Sequence, residues 1–100
     1  MIQVRYSPDC VWLSCVGHAG YGEEGKDIVC AGASALMLAA VDALREKELD
    51  DGIWVEPERA AIHAESFVGS AGEDILFTAA VGLKQLAEAY PDYVDYKEVE

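Results

Sequence analysis

One hundred residues with a formal charge of −12 make one domain, with room for a single hydrophobic core and none for a separate regulatory or substrate domain. Apolar residues form 52% of the chain, the composition of a folded globule and not of a disordered acidic segment. The acidity argues against nucleic acid or an anionic membrane as a direct partner, because phosphates would be repelled. It either suits a basic partner or only keeps an apolar little protein soluble.

No basic head followed by an apolar stretch opens the sequence, so no signal peptide is expected. The longest apolar tract, Ala31 to Val41, carries Ser34 and is too short to cross a membrane. Three cysteines, an odd number without a C-x-x-C pair, point to reduced thiols and a cytoplasmic setting. Cys10 and Cys15 are expected to pack as small strand hydrophobes. The spacings among Cys10, Cys15, His18 and Cys30 match no familiar zinc pattern, so neither a metal nor a cofactor is expected.

In chain order, Ile2, Val4 and Tyr6 alternate with Gln3, Arg5 and Ser7, a strand with one wet face. Ser7-Pro8-Asp9 is a turn, and Cys10 to Gly17 is a second strand, antiparallel to the first because the connection is so short. Apolar residues on both of its faces make it an interior strand. His18 stands at its end. The loop from Ala19 to Lys26 places Gly20, Gly22 and Gly25 among charges, which predicts a mobile, solvated segment that substrate could order. Asp27 is a good N-cap for a helix running from Ile28 to about Lys47, so apolar that it must be covered on more than one side, by another helix or by a second subunit. Asp50-Asp51-Gly52 is a turn. Ile53 and Val55 mark a third strand, Ala60 to Phe67 a fourth, and Glu56 to Arg59 the connection between them. His63 falls on the solvent face of that fourth strand. A second helix follows Gly69-Ser70-Ala71-Gly72 and runs to about Tyr90, with Phe77 and Val81 off its core stripe, and Pro91 stops it. Val94 and Tyr96 belong to a last strand. The order β-β-α-β-β-α-β predicts an α+β sandwich of a mixed or antiparallel sheet with two helices.

With Asp27 as N-cap, Cys30 is the third helical residue, where a thiolate would meet unpaired N–H groups and the positive end of the helix dipole. A thiol so placed ionises more readily than a free one. His18 is the only histidine near in sequence, and an imidazole can take a thiol proton and return it to a leaving amine. The N–H groups of Cys30, Ala31 or Gly32 are candidates to hold an oxyanion, with Gly32 offering no side chain to block approach. Ser34 lies one turn beyond Cys30 on the same face. Asp27 can cap the helix, orient His18, or do both.

The residues Gly17-His18-Ala19, the glycine-rich stretch after them, and Asp27-Ile28-Val29-Cys30-Ala31 with Ser34 resemble the signature of the Prp family of ribosomal-processing cysteine proteases. The likeness extends over essentially the whole chain. It implies a cytoplasmic, homodimeric enzyme with a Cys-His dyad. Such an enzyme removes the N-terminal extension of a basic large-subunit ribosomal protein of the L-twenty-seven family by cleaving after an aromatic residue. Under that resemblance Cys30 is the nucleophile, His18 the general base and acid, and Gly17, Asp27 and Ser34 supporting positions. The run Ala31-Gly32-Ala33-Ser34 lacks the bulkier residue that many relatives carry before the serine, a departure that touches substrate preference more than chemistry. Two other readings compete: a non-enzymatic acidic module that chaperones a basic ribosomal protein, and a thiol redox sensor built on Cys30.

Overall fold

Apolar–polar alternation decides which face of each strand is inward. In β1 (Ile2–Ser7), Ile2, Val4 and Tyr6 are buried while Gln3 is exposed. The computed structural model describes residues 1–100. In β2 (Trp12–Val16), Leu13 and Cys15 point the same way as Tyr6 and Val4, which they face across an antiparallel register. The chain continues through α1 (Ile28–Glu46), β3 (Gly52–Glu56), a single 3-10 turn at Pro57–Arg59, β4 (Ala61–Glu65), α2 (Ala71–Ala89) and β5 (Val94–Glu98). The five strands form one mixed sheet in the order β3-β4-β2-β1-β5, antiparallel except for the β1–β5 pair. The order of elements and the interior place of β2 agree with the sequence reading.

The second strand begins two residues later than its apolar pattern suggests. Ser7 Oγ accepts the Cys10 N–H at 3.2 Å, which closes a turn. Val11 then takes a left-handed backbone conformation, φ +58°, costly for a β-branched residue. Its side chain is buried and its carbonyl accepts the Ser66 N–H, so tertiary contacts hold the strain. Cys10 consequently lies exposed in the turn and not in the strand, whereas Cys15 packs in the core as expected. The fourth strand is likewise shorter than its apolar stretch, because Ala60 adopts a left-handed conformation after the 3-10 turn and β4 ends at Glu65.

Both helices contribute to one core with the inward strand residues. Val29, Ala33, Met37, Ala40, Val41 and Leu44 of α1 join Leu76, Ala79, Ala80 and Leu83 of α2. Burying each of the larger side chains stabilises the fold by about 1.5–3 kcal/mol. By length and composition α1 could span a bilayer, but its apolar stripe packs on the sheet and α2. Small residues let the helices approach: a Cβ on Gly82 would stand 2.7 Å from Leu36 Cδ2, and one on Gly32 would touch Leu86 at 3.6 Å. The opposite sheet face stays open, with His63 between Trp12 and Trp54 at ring separations of 5.6 and 4.9 Å.

The start of α2 is the least tolerant glycine position in a helix. A Cβ on Gly72 would overlap the Ser66 side chain and press on Leu44 Cδ2 at 3.2 Å. Alanine in a helix normally gains up to about 1 kcal/mol over glycine. Here Gly72→Ala should instead destabilise by about 1–3 kcal/mol through overpacking, read as a lower urea midpoint with an unchanged m-value.

Candidate active site

The carboxylate of Asp27 joins the glycine-rich loop to the mouth of α1. Its Oδ1 accepts the N–H groups of Val29 and Cys30, each at 3.0 Å, as an N-cap should. Its Oδ2 accepts the N–H groups of Tyr21 at 2.9 Å and Gly22 at 3.1 Å. Partial desolvation pushes the Asp27 carboxyl up, but the bonds from Cys30, Gly22, Tyr21 and Val29 outweigh it and hold the group below its ordinary value of 3.8. All four bonds go to backbone amides and none to His18, so of the two roles the sequence left open, Asp27 takes the cap.

The loop is tethered more firmly than its glycines suggest. The Tyr21 ring packs edge-on against Tyr90 and Tyr93, with centroids 5.3 and 5.1 Å apart. Ala19 is buried. Gly20 and Gly25 take left-handed conformations, φ +72° and +83°, at the corners of the loop, while Gly22 sits against the Lys26 carbonyl and backbone of Asp27. Even so, every residue from Gly20 to Lys26 is exposed, with Glu23, Glu24 and Lys26 at the tip.

Gly17 turns the chain out of β2 at φ +101°, and a Cβ there would meet the Met1 carbonyl oxygen at 2.7 Å. The turn sets His18 at the surface, directly before buried Ala19. Two clefts open at this point. One, about 250 Å³, is mainly apolar and is walled by Cys15, Ala33, Met37, Val55, Pro57 and Ile62, among others. The second, about 420 Å³, lies along the loop with Gly20, Gly22, Glu24, Gly25 and Asp27. His18, Cys30 and Ser34 line both, and no other residue does. The three stand where the two clefts meet, a thiol, an imidazole and a hydroxyl between a trough walled by apolar side chains and one walled by glycines and acidic residues.

Two expectations are corrected. The helix-mouth amides are not free for an oxyanion: the Cys30 N–H is held by Asp27 Oδ1, and the Ala31 N–H by the Asp27 carbonyl at 3.0 Å. The Gly32 N–H belongs to the next rung of the helical ladder. Gly32 itself faces Leu86 of α2 and lines neither cleft, so its missing side chain serves helix packing and not substrate access.

The structure adds residues that pattern alone did not single out. Ala19 donates its N–H to Cys30 Sγ at 3.2 Å. Cys15 lines the apolar cleft, and burial, reinforced by charge on Cys30, pushes its thiol up to about 11. That leaves Cys15 protonated near neutral pH and inert as a nucleophile. Val55 and Ile62, read only as strand residues, wall the cleft because β3 and β4 pass beside α1. No three metal-ligating side chains converge in the chain. His63, bonded to Glu65 at 3.2 Å, lies on the opposite face of the sheet from the cleft-lining Cys15 and Ile62.

The family described as cysteine protease Prp matches this sequence over residues 1–95. The chain belongs to the Prp family of cysteine proteases. The ribosomal processing cysteine protease Prp of Mycoplasma genitalium is 27% identical to it, over 98% of this chain and 96% of the relative. Among solved structures, the essential ribosomal processing protease Prp from S. aureus with a covalently linked product peptide superposes with a TM-score of 0.84. It is 29% identical, and the match spans 99% of this chain and all of that one. The same S. aureus protease with a substrate peptide gives a TM-score of 0.82 at 27% identity, again over 99% of this chain and all of that one. The Prp fold and the α+β reading therefore agree.

In this Prp chain the depressed Asp27 carboxyl ties loop order to pH. Its stabilisation is full above the unfolded-state value and is lost as pH falls through the lower folded value. Asp27→Ala should therefore lower Tm at pH 7, and the gap to the unsubstituted protein should close as pH drops below the ordinary 3.8. A gap that persists unchanged at pH 2 would mean that the carboxylate charge is not what stabilises the loop and helix mouth.

Proposed function

We propose that this protein is a ribosomal-processing endopeptidase that removes the N-terminal extension of a large-subunit ribosomal protein of the L-twenty-seven family through a Cys30–His18 dyad. The observation that carries the reading is the shared ridge: one thiol, one imidazole and one hydroxyl separate a trough of apolar side chains from one of glycines and acidic residues. A peptide crossing such a ridge lays an apolar side chain into the trough of Met37, Val55 and Ile62, and its following residues along Gly20 to Gly25. The aromatic residue implied by family resemblance suits that trough.

The chemistry follows from the dyad. His18 takes the Cys30 proton, and the sulfur attacks the scissile carbonyl carbon. A C–S bond forms while the carbonyl π pair moves onto oxygen. When the tetrahedral intermediate collapses the C–N bond breaks, and His18 gives its proton to the leaving amine. Water, deprotonated by His18, then attacks the thioester and releases the acid and free Cys30. Ser34 stands on the ridge within reach of either half of the substrate, and Gly17 keeps His18 at the strand end.

The charge of −12 suits a basic ribosomal protein and disfavours direct contact with nucleic acid. Three free thiols suit a cytoplasmic location. Exposed Leu38 on α1, with Phe77 and Val81 on α2, gives a homodimer apolar surface to cover.

Incubation with a peptide spanning the extension and mature N-terminus tests the reading. Cys30→Ala should abolish cleavage, and His18→Ala should lower kcat by about 100- to 10,000-fold. Binding that persists with no cleavage in the unsubstituted protein would leave only the acidic binding module. With the full basic substrate, kcat/KM should fall as salt rises, and a flat salt dependence would remove electrostatic steering.

A further inference from the structure

In the first turn of α1 only the N–H of Ile28, two residues before Cys30, lacks a protein partner; the amides at Cys30 and beyond it are all taken. Cys30 and Val29 give their N–H groups to the Asp27 carboxylate, and Ala31 gives its own to the Asp27 carbonyl. An acyl-transfer site still needs a donor aimed at the oxygen that becomes negative. One amide from outside the helix is already directed at the sulfur, that of Ala19, 3.2 Å from Cys30 Sγ.

We propose that the backbone N–H of Ala19 is a catalytic hydrogen-bond donor, holding the Cys30 sulfur in the free enzyme and passing to the carbonyl oxygen as the tetrahedral intermediate forms. This rests on Cys30 being the nucleophile. When the C–S bond forms, the negative charge moves from sulfur to an oxygen bonded to the same carbon. A donor poised at the sulfur therefore needs only a small re-aiming to follow the charge. The amide is fixed for this work from both sides. Ala19 is 4% exposed, and before it Gly17 donates its N–H to the Ala60 carbonyl at 3.1 Å and turns at φ +101°. After it, Tyr21 and Gly22 are held by Asp27 Oδ2. A preorganised donor in a half-buried site loses little on reorganisation during reaction. The consequence is a division of labour at one carboxylate. By taking the helix amides, Asp27 fixes Cys30 in place, and by taking the loop amides it delivers the replacement donor. The three-residue turn Gly17-His18-Ala19 thus supplies the proton carrier through a side chain and the oxyanion donor through the backbone.

The direct test replaces Ala19 by lactic acid, which exchanges its N–H for an ester oxygen and leaves the side chain unchanged. The expected result is a fall in kcat of about 100-fold, with KM within a few-fold and slower alkylation of Cys30 by iodoacetamide at pH 7. A kcat within twofold of the unsubstituted protein overturns the proposal. Should the ester variant not fold, the unsubstituted protein answers instead. On addition of a substrate-sequence peptide aldehyde, whose carbonyl adds Cys30 as a tetrahedral thiohemiacetal, the Ala19 amide proton should move downfield. An unmoved Ala19 resonance in the adduct overturns the proposal. The two readings fail separately: cleavage that survives Cys30→Ala removes the nucleophile assignment, whereas an active ester variant beside an inactive Cys30→Ala removes only the role of the amide.

Discussion

One carboxylate, Asp27, organises the functional end of this protein. Without it, the amides of Val29, Cys30, Tyr21 and Gly22 would each need water, and the Ala19–Cys30 contact would be the one hydrogen bond left between the loop and the helix. Its bonds are charge-assisted and directed at rigid backbone, so they set positions as well as energies. Cys30 enters the ridge because its own N–H is anchored, and Ala19 reaches the sulfur because the loop beyond it is anchored. The aromatic contacts of Tyr21 with Tyr90 and Tyr93 carry that order to the far end of α2. A loop with three glycines is thereby held at two points while its acidic tip stays in water.

The sheet supplies the other half of the site. Strand β2 runs through the middle, so its end at Gly17 is braced by β1 on one side and β4 on the other. The two strands after α1 return beside it, and their inward residues Val55 and Ile62 close the apolar trough opposite Met37. Cys15, one layer beneath, is pushed toward a protonated state by the same burial that makes the trough apolar. Two thiols in one cleft thus have different fates: Cys15 is a wall, and Cys30 at the rim is available for chemistry.

Much of this was legible from residue types and spacing. Strand alternation, the Asp27 cap, the long apolar helix and the Pro91 stop are local signals, and each sits where its pattern indicates. What pattern could not reveal depends on tertiary placement. Val11 looks like one more strand residue, yet a buried pocket for its side chain and a bond from Ser66 hold it in a left-handed turn, and Cys10 is left in solvent. Gly32 reads as an opening to substrate because its position along the helix is compatible with that. Only the packing of α2 shows that it faces Leu86. The competition for amides at the helix mouth was likewise invisible, because a cap motif identifies an acceptor but not how many donors from a distant loop will share it. Val55 and Ile62 carry no chemical signature at all, and they matter only through where the β3–β4 hairpin passes.

The central claim is that this seat makes Cys30, and neither of the other two thiols, the nucleophile. Trapping the acyl-enzyme tests it most directly: the p-nitrophenyl ester of an extension-sequence peptide is mixed with the protein, quenched in acid within the first turnover, and mapped by mass spectrometry. The account predicts one acyl group per chain, on the peptide containing Cys30, with Cys10 and Cys15 unmodified. An acyl group on Cys10 or Cys15, or ester turnover with Cys30 left free, would contradict it.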